Sequence, residues 1–277
     1  MQNAGIRALK LNWRYLAFDV HPDSLRAAIE GAKALRLIGF NLTVPHKLLA
    51  LEMVDVAETQ ARRWGAVNTI VFETRDSQGA WVPLARVGED VIGEVRSHGF
   101  NTDADAIVQS LKEDFRWPDL RGAAVLILGA GGAARSAALR LAQEEAATIY
   151  LVNRTRDRAR QLAADITEHF PRTSVKEGYP SDPVDLVINA TSLGLKADDP
   201  LPLHLPWLQS RRPARVYDMI YRPKETALLR AAKAAGCKTA NGLGMLLHQG
   251  AAALKLWSGE EPPAGVMRAA LKREVHD

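Results

Sequence analysis

The chain has 277 residues, a length that suits two domains. Its make-up, 47% hydrophobic and 25% charged with 20 glycines and 14 prolines, excludes a disordered or collagen-like chain. A net charge of +4, from 36 Lys and Arg scattered among 32 Asp and Glu, argues against a nucleic-acid surface, and the single cysteine, Cys237, excludes an internal disulfide or a cysteine-based zinc site.

In chain order, Arg14–Val20 reads as a strand and Ser24–Arg36 as a helix, with Leu25, Ala28, Ile29, Ala32 and Leu35 on one face. Leu37–Val44 is strand-like, Pro45 suits the first turn of the helix after it, and Ala66–Phe72 is a third strand. Asp76–Gly93 is polar and irregular, a hairpin or surface excursion. The continuous apolar run Ala123–Leu128 predicts a strand covered on both faces. Gly131–Gln143 (helix), Thr148–Asn153 (strand), Asp157–His169 (helix), and the strands Val184–Ala190 and Arg215–Asp218 follow. Thr226–Ala235 is a helix stopped by Gly236, and Leu243–Trp257 and Pro263–Arg273 close the chain as helices. The alternation predicts an α/β protein with mostly parallel sheet in both halves. The longest near-apolar run, Ala123–Ala134, is too short and too glycine-broken to cross a bilayer, and no secretory signal opens the chain. A cytoplasmic protein without membrane or nucleic-acid partners is expected. His204 and His248 lack a second ligand at metal spacing, so no metal is expected.

The stretch from Val125 to Ala134 joins an apolar strand to an Ala-rich helix through Gly129-Ala130-Gly131-Gly132-Ala133. Gly129, Gly131 and Ala134 occupy the positions of the dinucleotide fingerprint, where glycine permits a tight turn and close approach of backbone to a pyrophosphate. The helix N-terminus then offers N–H groups and a partial positive charge. The next strand ends Asn153-Arg154-Thr155, with Arg158 one turn later and no carboxylate at its tip. Arginine there attracts a 2′-phosphate, and cations at a helix N-terminus oppose the macrodipole, so NADP is expected over NAD.

Three polar constellations precede the glycine loop: Asn41-Leu42-Thr43-Val44-Pro45-His46-Lys47, Gly65-Ala66-Val67-Asn68-Thr69 and Asn101-Thr102-Asp103. Taken singly, Lys47 reads as a solvated helix lysine, Asn68 as a turn residue and Asp103 as a helix N-cap. Jointly, Lys47 and Asp103 supply the proton-transfer pair that a carbonyl–alcohol hydride exchange needs.

With these motifs the chain resembles the shikimate dehydrogenase family. The resemblance extends, in the same order, to Asn189-Ala190-Thr191-Ser192-Leu193-Gly194, Asp218-Met219-Ile220-Tyr221-Arg222-Pro223 and Gly242-Leu243-Gly244-Met245-Leu246-Leu247-His248-Gln249. It implies NADP-dependent interconversion of 3-dehydroshikimate and shikimate, a step toward aromatic amino acids. Lys47 would be the acid–base residue and Asp103 its partner on the substrate, while Thr43, Asn68, Tyr221 and Gln249 would hold the substrate. Arg154, Thr155 and Arg158 would clamp the 2′-phosphate beside Asn153 and the glycine loop, and Thr191, Met219 and Gly242 would complete the cofactor site. The implied domains are 1–102 plus 243–277 for substrate and 103–242 for a Rossmann-type NADP domain, with a cleft between them and a monomer or homodimer as the acting form.

The family pattern also opens with a strand, a Ser-x-Ser segment for the substrate carboxylate and Met-His-Asn, whereas this chain begins Met1-Gln2-Asn3-Ala4. The resemblance therefore implies weak shikimate affinity in the chain as it stands, with cofactor binding spared. It also departs at Ala106, where the family has glycine, and in a long Ser77–Ser97 stretch. A quinate/shikimate dehydrogenase of the same fold and a catalytically weak NADP-binding protein are the competing expectations.

Overall fold

The computed structural model describes residues 1–88 and 93–276, so residues 89–92 of the expected Asp76–Gly93 excursion lie outside the described residues. The chain divides into two compact units, Met1–Thr102 with Gln249–Ala270, and Asp103–His248 with Leu271–Asp277.

The first unit contains α1 (Gln2–Ala8), α2 (Leu25–Ala34), β1 (Gly39–Asn41), α3 (His46–Leu49), β2 (Val56–Ala57), α4 (Thr59–Trp64), β3 (Thr69–Arg75), β4 (Trp81–Pro83) and β5 (Val95–Phe100). β3 is the centre of its sheet. Thr69 to Thr74 are all buried, as suits a strand rich in β-branched residues and covered on both faces. β1 and β4 pair with different stretches of β3, and β5 lies along its other edge and carries β2. α2 turns Leu25, Ile29 and Ala32 onto this sheet, where they meet Val67, Ile70 and Phe72. α4 is fixed at both ends. The Glu58 carboxylate accepts from the N–H groups of Gln60 and Ala61, and Gly65 takes the left-handed conformation (φ +67°) that ends the helix.

Three expectations for this unit need correction. The parallel arrangement holds only between β2 and β5; β1, β4 and β5 all run antiparallel to β3. A short hairpin joins β3 to β4, whereas β1 reaches β3 through α3, β2 and α4 and the chain returns antiparallel to it. Arg14–Val20 forms no strand. Trp13 and Tyr15 turn inward beside Trp257, but Leu16, Ala17, Phe18 and Asp19 are exposed in succession, so the segment offers no continuous buried face. The backbone at Tyr15 bonds instead to the Asn3 side chain, through Tyr15 N to Asn3 Oδ1 (2.8 Å) and Asn3 Nδ2 to Tyr15 O (2.9 Å). Finally, β5 was not foreseen, because Val-Arg-Ser-His-Gly-Phe is a poor strand sequence. It is a strand because it is paired on both sides, and the buried Glu73 accepts from both Arg96 Nε (2.7 Å) and His98 Nδ1 (3.1 Å).

The second unit begins with α5 (Asp103–Asp114) and continues through β6 (Ala124–Leu128), α6 (Gly132–Gln143), β7 (Thr148–Val152), α7 (Arg156–His169), β8 (Ser174–Glu177), β9 (Leu186–Asn189), α8 (Leu205–Arg211), β10 (Arg215–Asp218), α9 (Ala227–Ala234) and β11 (Lys238–Asn241). α10 (Leu243–Ser258) and α11 (Ala264–His276) complete the chain. The sheet order is β11-β10-β9-β6-β7-β8, and every described pairing is parallel. β6 sits in the middle, so the chain winds outward on one side through β7 and β8 and on the other through β9 to β11. The switch in direction beside β6 opens a crevice at the C-terminal ends of β6 and β9, the usual place for a ligand in such a sheet. Val125 to Leu128 are buried, and Leu126 and Leu128 join Val187, Val216 and Leu228 in one cluster. The α/β class is as expected from the sequence.

One close approach is testable. Trp257 Nε1 donates to Ile70 O at 3.0 Å, and a Cβ on Gly39 would overlap both of those atoms. Gly39→Ala should break the bond and strain β1, costing about 1–3 kcal/mol, read as a lower urea midpoint by circular dichroism.

Candidate functional site

In the first unit the three polar constellations meet at Asn68. Its backbone carbonyl accepts from Leu42 N (2.8 Å) and its backbone N–H donates to Phe100 O (3.0 Å), which ties the loop to the ends of β1 and β5. Its neighbour Val67 donates to Lys47 O (2.9 Å), which fixes the first turn of α3 to the same loop. The Asn68 side chain is buried and bonds to the third constellation. Oδ1 accepts from Thr102 N (2.8 Å), and Nδ2 donates to Thr102 Oγ1 (3.0 Å). Asn101 Nδ2 adds a bond to Ala66 O at 3.0 Å. Lys47 and Asn68 are thus held by one set of backbone bonds, with Lys47 half-buried and Thr43 exposed. Gln249 lies in α10, half-buried, next to Gly250, whose carbonyl accepts from Gln2 Nε2 at 2.9 Å.

Asn41, Thr69, Thr102 and Tyr15, which the sequence did not single out as site residues, are hydrogen-bonded to this junction. Tyr15 O–H donates to Asn41 Oδ1 (2.9 Å), and Asn41 Nδ2 donates to Thr69 Oγ1 (2.9 Å). Three of these residues stand inside the quoted motifs, so the signal was present. For Tyr15 there was none, since it stands outside every quoted motif.

In the second unit Asp103 is the first residue of α5 and is buried, an acid in the first helical turn where the macrodipole favours it. The glycine loop uses its glycines in two ways. Gly129 has φ +111°, and a Cβ there would come to 3.0 Å from Ala190 O and 3.2 Å from Thr191 Cγ2. Gly131 precedes α6 with extended backbone and open space where a Cβ would stand. Gly129 is therefore demanded by the fold, whereas Gly131 leaves room for something to lie against the helix start. Ala130, Gly132 and Ala133 are half-buried around it. That open cradle, at a helix N-terminus with unsatisfied N–H groups, fits a pyrophosphate.

At the tip of β7, Asn153 Nδ2 donates to Thr155 O at 2.7 Å and shapes the turn into α7. Arg154, Thr155 and Arg158 are exposed. Arg160 is held by Asp157 (3.5 Å) and Glu177 (3.6 Å), but among the described residues no carboxylate pairs with Arg154 or Arg158. Two unneutralised guanidinium groups at a helix start suit a phosphate ester.

The loops after β9 and β10 are locked to each other. Asp218 is fully buried and accepts from Asn189 Nδ2 (2.9 Å), Ile220 N (3.1 Å) and Thr226 Oγ1 (2.6 Å). Burial pushes its carboxyl above the usual carboxylate range, against the pull of those three donors. Thr191 is drawn into the same network. Its hydroxyl donates to Asn189 Oδ1 (2.7 Å) and accepts from Leu193 N (3.1 Å). Met219 and Gly242 are brought together, since a Cβ on Gly242 would overlap Met219 O, and Gly242 N bonds to Ile220 O at 3.2 Å. Tyr221 stands exposed on the β10 loop. Among the described residues there is no group of three or more His, Cys, Asp and Glu that could hold a metal.

Comparison with known proteins gives a consistent result. Residues 1–70 match the family model for the shikimate dehydrogenase substrate binding domain, 110–194 that for shikimate / quinate 5-dehydrogenase, and 242–272 that for the shikimate 5'-dehydrogenase C-terminal domain. A shikimate dehydrogenase (NADP(+)) of Desulforamulus reducens is 40% identical over 283 residues, covering 99% of this chain and 90% of the relative. A crystal structure of a shikimate dehydrogenase in complex with NADP+ superposes with a TM-score of 0.83 at 35% identity, covering 99% of this chain and 89% of the other. The shikimate 5-dehydrogenase from Thermus thermophilus, in complex with NADP(H) and shikimate, gives 0.80 at 31% identity over 98% of this chain and 92% of its own. On these matches, which run nearly end to end and agree with the glycine loop and the Asn68 junction, the chain belongs to the shikimate dehydrogenase family.

Proposed function

We propose that this chain catalyses the reversible, NADP-dependent reduction of 3-dehydroshikimate to shikimate, with Lys47 and Asp103 as its acid–base pair. The observation that carries this reading is the junction at Asn68. One buried side chain and its peptide hold the loop of Lys47, the loop of Asn68 and the residue preceding Asp103.

The cofactor, when bound, supplies the hydride. The chain's own residues supply the proton and the positions. In the direction of reduction, negative charge develops on the carbonyl oxygen, and the Lys47 ammonium donates a proton to it. In the reverse direction the neutral amine takes that proton back. The Asp103 carboxylate accepts a hydrogen bond from a substrate hydroxyl. Thr43, Asn68, Tyr221 and Gln249 offer hydroxyl and amide groups to the remaining hydroxyls and the ring. On the cofactor side, Gly129 to Ala133 would hold the pyrophosphate, while Arg154, Thr155 and Arg158, shaped by Asn153, would take the 2′-phosphate. Met219 and Gly242 would meet the nicotinamide end through backbone groups, and Thr191 would support that wall. As part of the same reading the enzyme acts in the cytoplasm, as a monomer or homodimer, on a small molecule. This accords with no described helix being long and apolar enough to cross a membrane.

The direct test is incubation with shikimate and NADP⁺ while following nicotinamide absorbance, alongside a titration of NADPH binding. Turnover is expected, and NADPH binding without turnover would refute the catalytic reading.

Two substitutions sharpen it. Lys47→Ala should lower kcat by about 10²–10⁴-fold with a modest change in KM, and a variant with normal kcat would remove the lysine from the mechanism. Arg154→Asp should raise the KM for NADP by about ten- to a hundredfold and leave that for NAD nearly unchanged, because only one of the two cofactors carries the phosphate. Equal losses for both cofactors would dissociate Arg154 from cofactor choice.

A further inference from the structure

We propose that Tyr15 is a positioning residue for the substrate site, acting on Asn68 through a one-directional hydrogen-bond relay that runs through Asn41 and Thr69. This rests on the reading of Asn68 as a substrate-holding residue.

The links are continuous. Tyr15 O–H reaches Asn41 Oδ1 at 2.9 Å, Asn41 Nδ2 reaches Thr69 Oγ1 at 2.9 Å, Thr69 Oγ1 reaches Asn68 Oδ1 at 3.2 Å, and Asn68 Nδ2 reaches Thr102 Oγ1 at 3.0 Å. Hydroxyl and amide groups can each be turned around, so a chain of them has no direction unless something fixes its ends. Here backbone groups fix both. Asn68 Oδ1 faces Thr102 N at 2.8 Å, a group that only donates, so the oxygen of that amide must lie on this side. Asn41 Nδ2 lies 3.3 Å from Asn68 O, a group that only accepts, so the nitrogen of that amide must face it. These ends fix the first half of the relay. Thr69 accepts from Asn41 and passes its proton to Asn68 Oδ1 or to the Thr102 hydroxyl 3.3 Å away, itself 3.3 Å from Asn68 Oδ1, and in either case Asn41 Oδ1 is left needing a donor. Tyr15 is that donor. Burial raises the pKa of its phenol further and keeps the proton in place.

The consequence concerns the substrate. Asn68 Oδ1 meets Thr102 N and the Thr69 hydroxyl, which holds Nδ2 in one orientation. Without the Tyr15 hydroxyl, Asn41 Oδ1 loses its donor and the amide is held from its Nδ2 side alone, which weakens its grip on Thr69. Thr69 can then release Asn68. The ring of Tyr15 has a separate role, packed against Trp257 with centroids 6.1 Å apart, and a phenylalanine would keep that contact.

The test is steady-state kinetics on Tyr15→Phe, Asn68→Ala and the double variant, with NADPH affinity measured by titration. Tyr15→Phe should raise the KM for shikimate about three- to tenfold, leave kcat within about twofold and leave NADPH affinity unchanged. A role in packing alone would lower thermal stability without this split. Asn68→Ala should raise KM by more, and the double variant should be no worse than Asn68→Ala alone, because the relay has no other end. A normal KM in Tyr15→Phe beside a raised KM in Asn68→Ala, or additive effects in the double variant, would overturn the relay and leave the site standing. A normal KM in Asn68→Ala would refute the substrate-site reading itself and the relay with it. If Tyr15→Phe does not fold, Asn41→Asp carries the test. It still accepts from Tyr15 but has no donor for Thr69, so the same rise in KM is expected, and a normal KM would overturn the proposal.

Discussion

A buried amide that cannot reach water must find its hydrogen bonds within the protein, and Asn68 finds them in the segments that follow β1 and end β5. Its peptide joins the ends of β1 and β5, and its side chain holds Thr102 from both the donor and the acceptor side. Leaving any of these groups unpaired would cost on the order of 1–3 kcal/mol, so the loops are fixed by the demands of one residue rather than by regular secondary structure. The chemistry of the first unit depends on this. Lys47 sits in a four-residue helix, too short to be stable by itself, and its position comes from the Val67–Lys47 bond to the same loop. A site made of loops acquires the precision of a sheet because the sheet's end residues are its bonding partners.

The second unit meets the same need with a buried acid. Asp218 has three donors and no described cation beside it, and its neighbours Asn189 and Thr226 belong to different loops. The two strands β9 and β10 are adjacent and parallel, so the chain leaves both at the same end of the sheet. Without the Asn189–Asp218–Thr226 bonds these loops would be independent. With them, the wall that includes Met219 and Gly242 is a single piece. Burying an ionisable group for this purpose is expensive, and the donors that surround it are what make the carboxylate tolerable.

The parts of this architecture that were legible in the sequence are those set by local pattern. The apolar run Ala123–Leu128, the glycines after it and the periodicity of α6, α7 and α9 each depend on a few adjacent residues, and they predict the four inner strands of the second unit's parallel sheet but not its polar edge strands β8 and β11. What was not legible depends on partners far along the chain. β5 carries Arg96, His98 and Gly99, which no propensity would place in a strand, and it is one because β2 and β3 flank it and Glu73 offsets its charges. The reverse holds for Arg14–Val20, which is rich in strand-forming residues and pairs with no strand. The antiparallel run of β3 against β1 and β5 was hidden for the same reason, since direction is a property of a pair. Among the site residues, Lys47, Asn68 and Asp103 stood out by motif, whereas Tyr15 lies 26 residues from the Asn41 it holds.

The two units also show how to tell a residue that shapes a site from one that faces a ligand. Gly129 and Gly242 are glycines because neighbouring backbone occupies the space a Cβ would need, and Gly131 is glycine with nothing near it. Only the last has a vacancy that packing does not explain. The same division applies to polar side chains. Thr191 gives its proton to Asn189 and takes one from Leu193, so its hydroxyl is largely spent on holding the loop still. Arg154 and Arg158 show the opposite condition. They sit at a helix start, where a positive charge is unfavourable, and no described carboxylate offsets them, while Arg160 two residues on has two acids within 3.6 Å. A fold gains nothing from cations placed so, and an anionic ligand gains a good deal. Spent groups mark the frame, and unspent groups in unfavourable places are what the frame leaves unexplained.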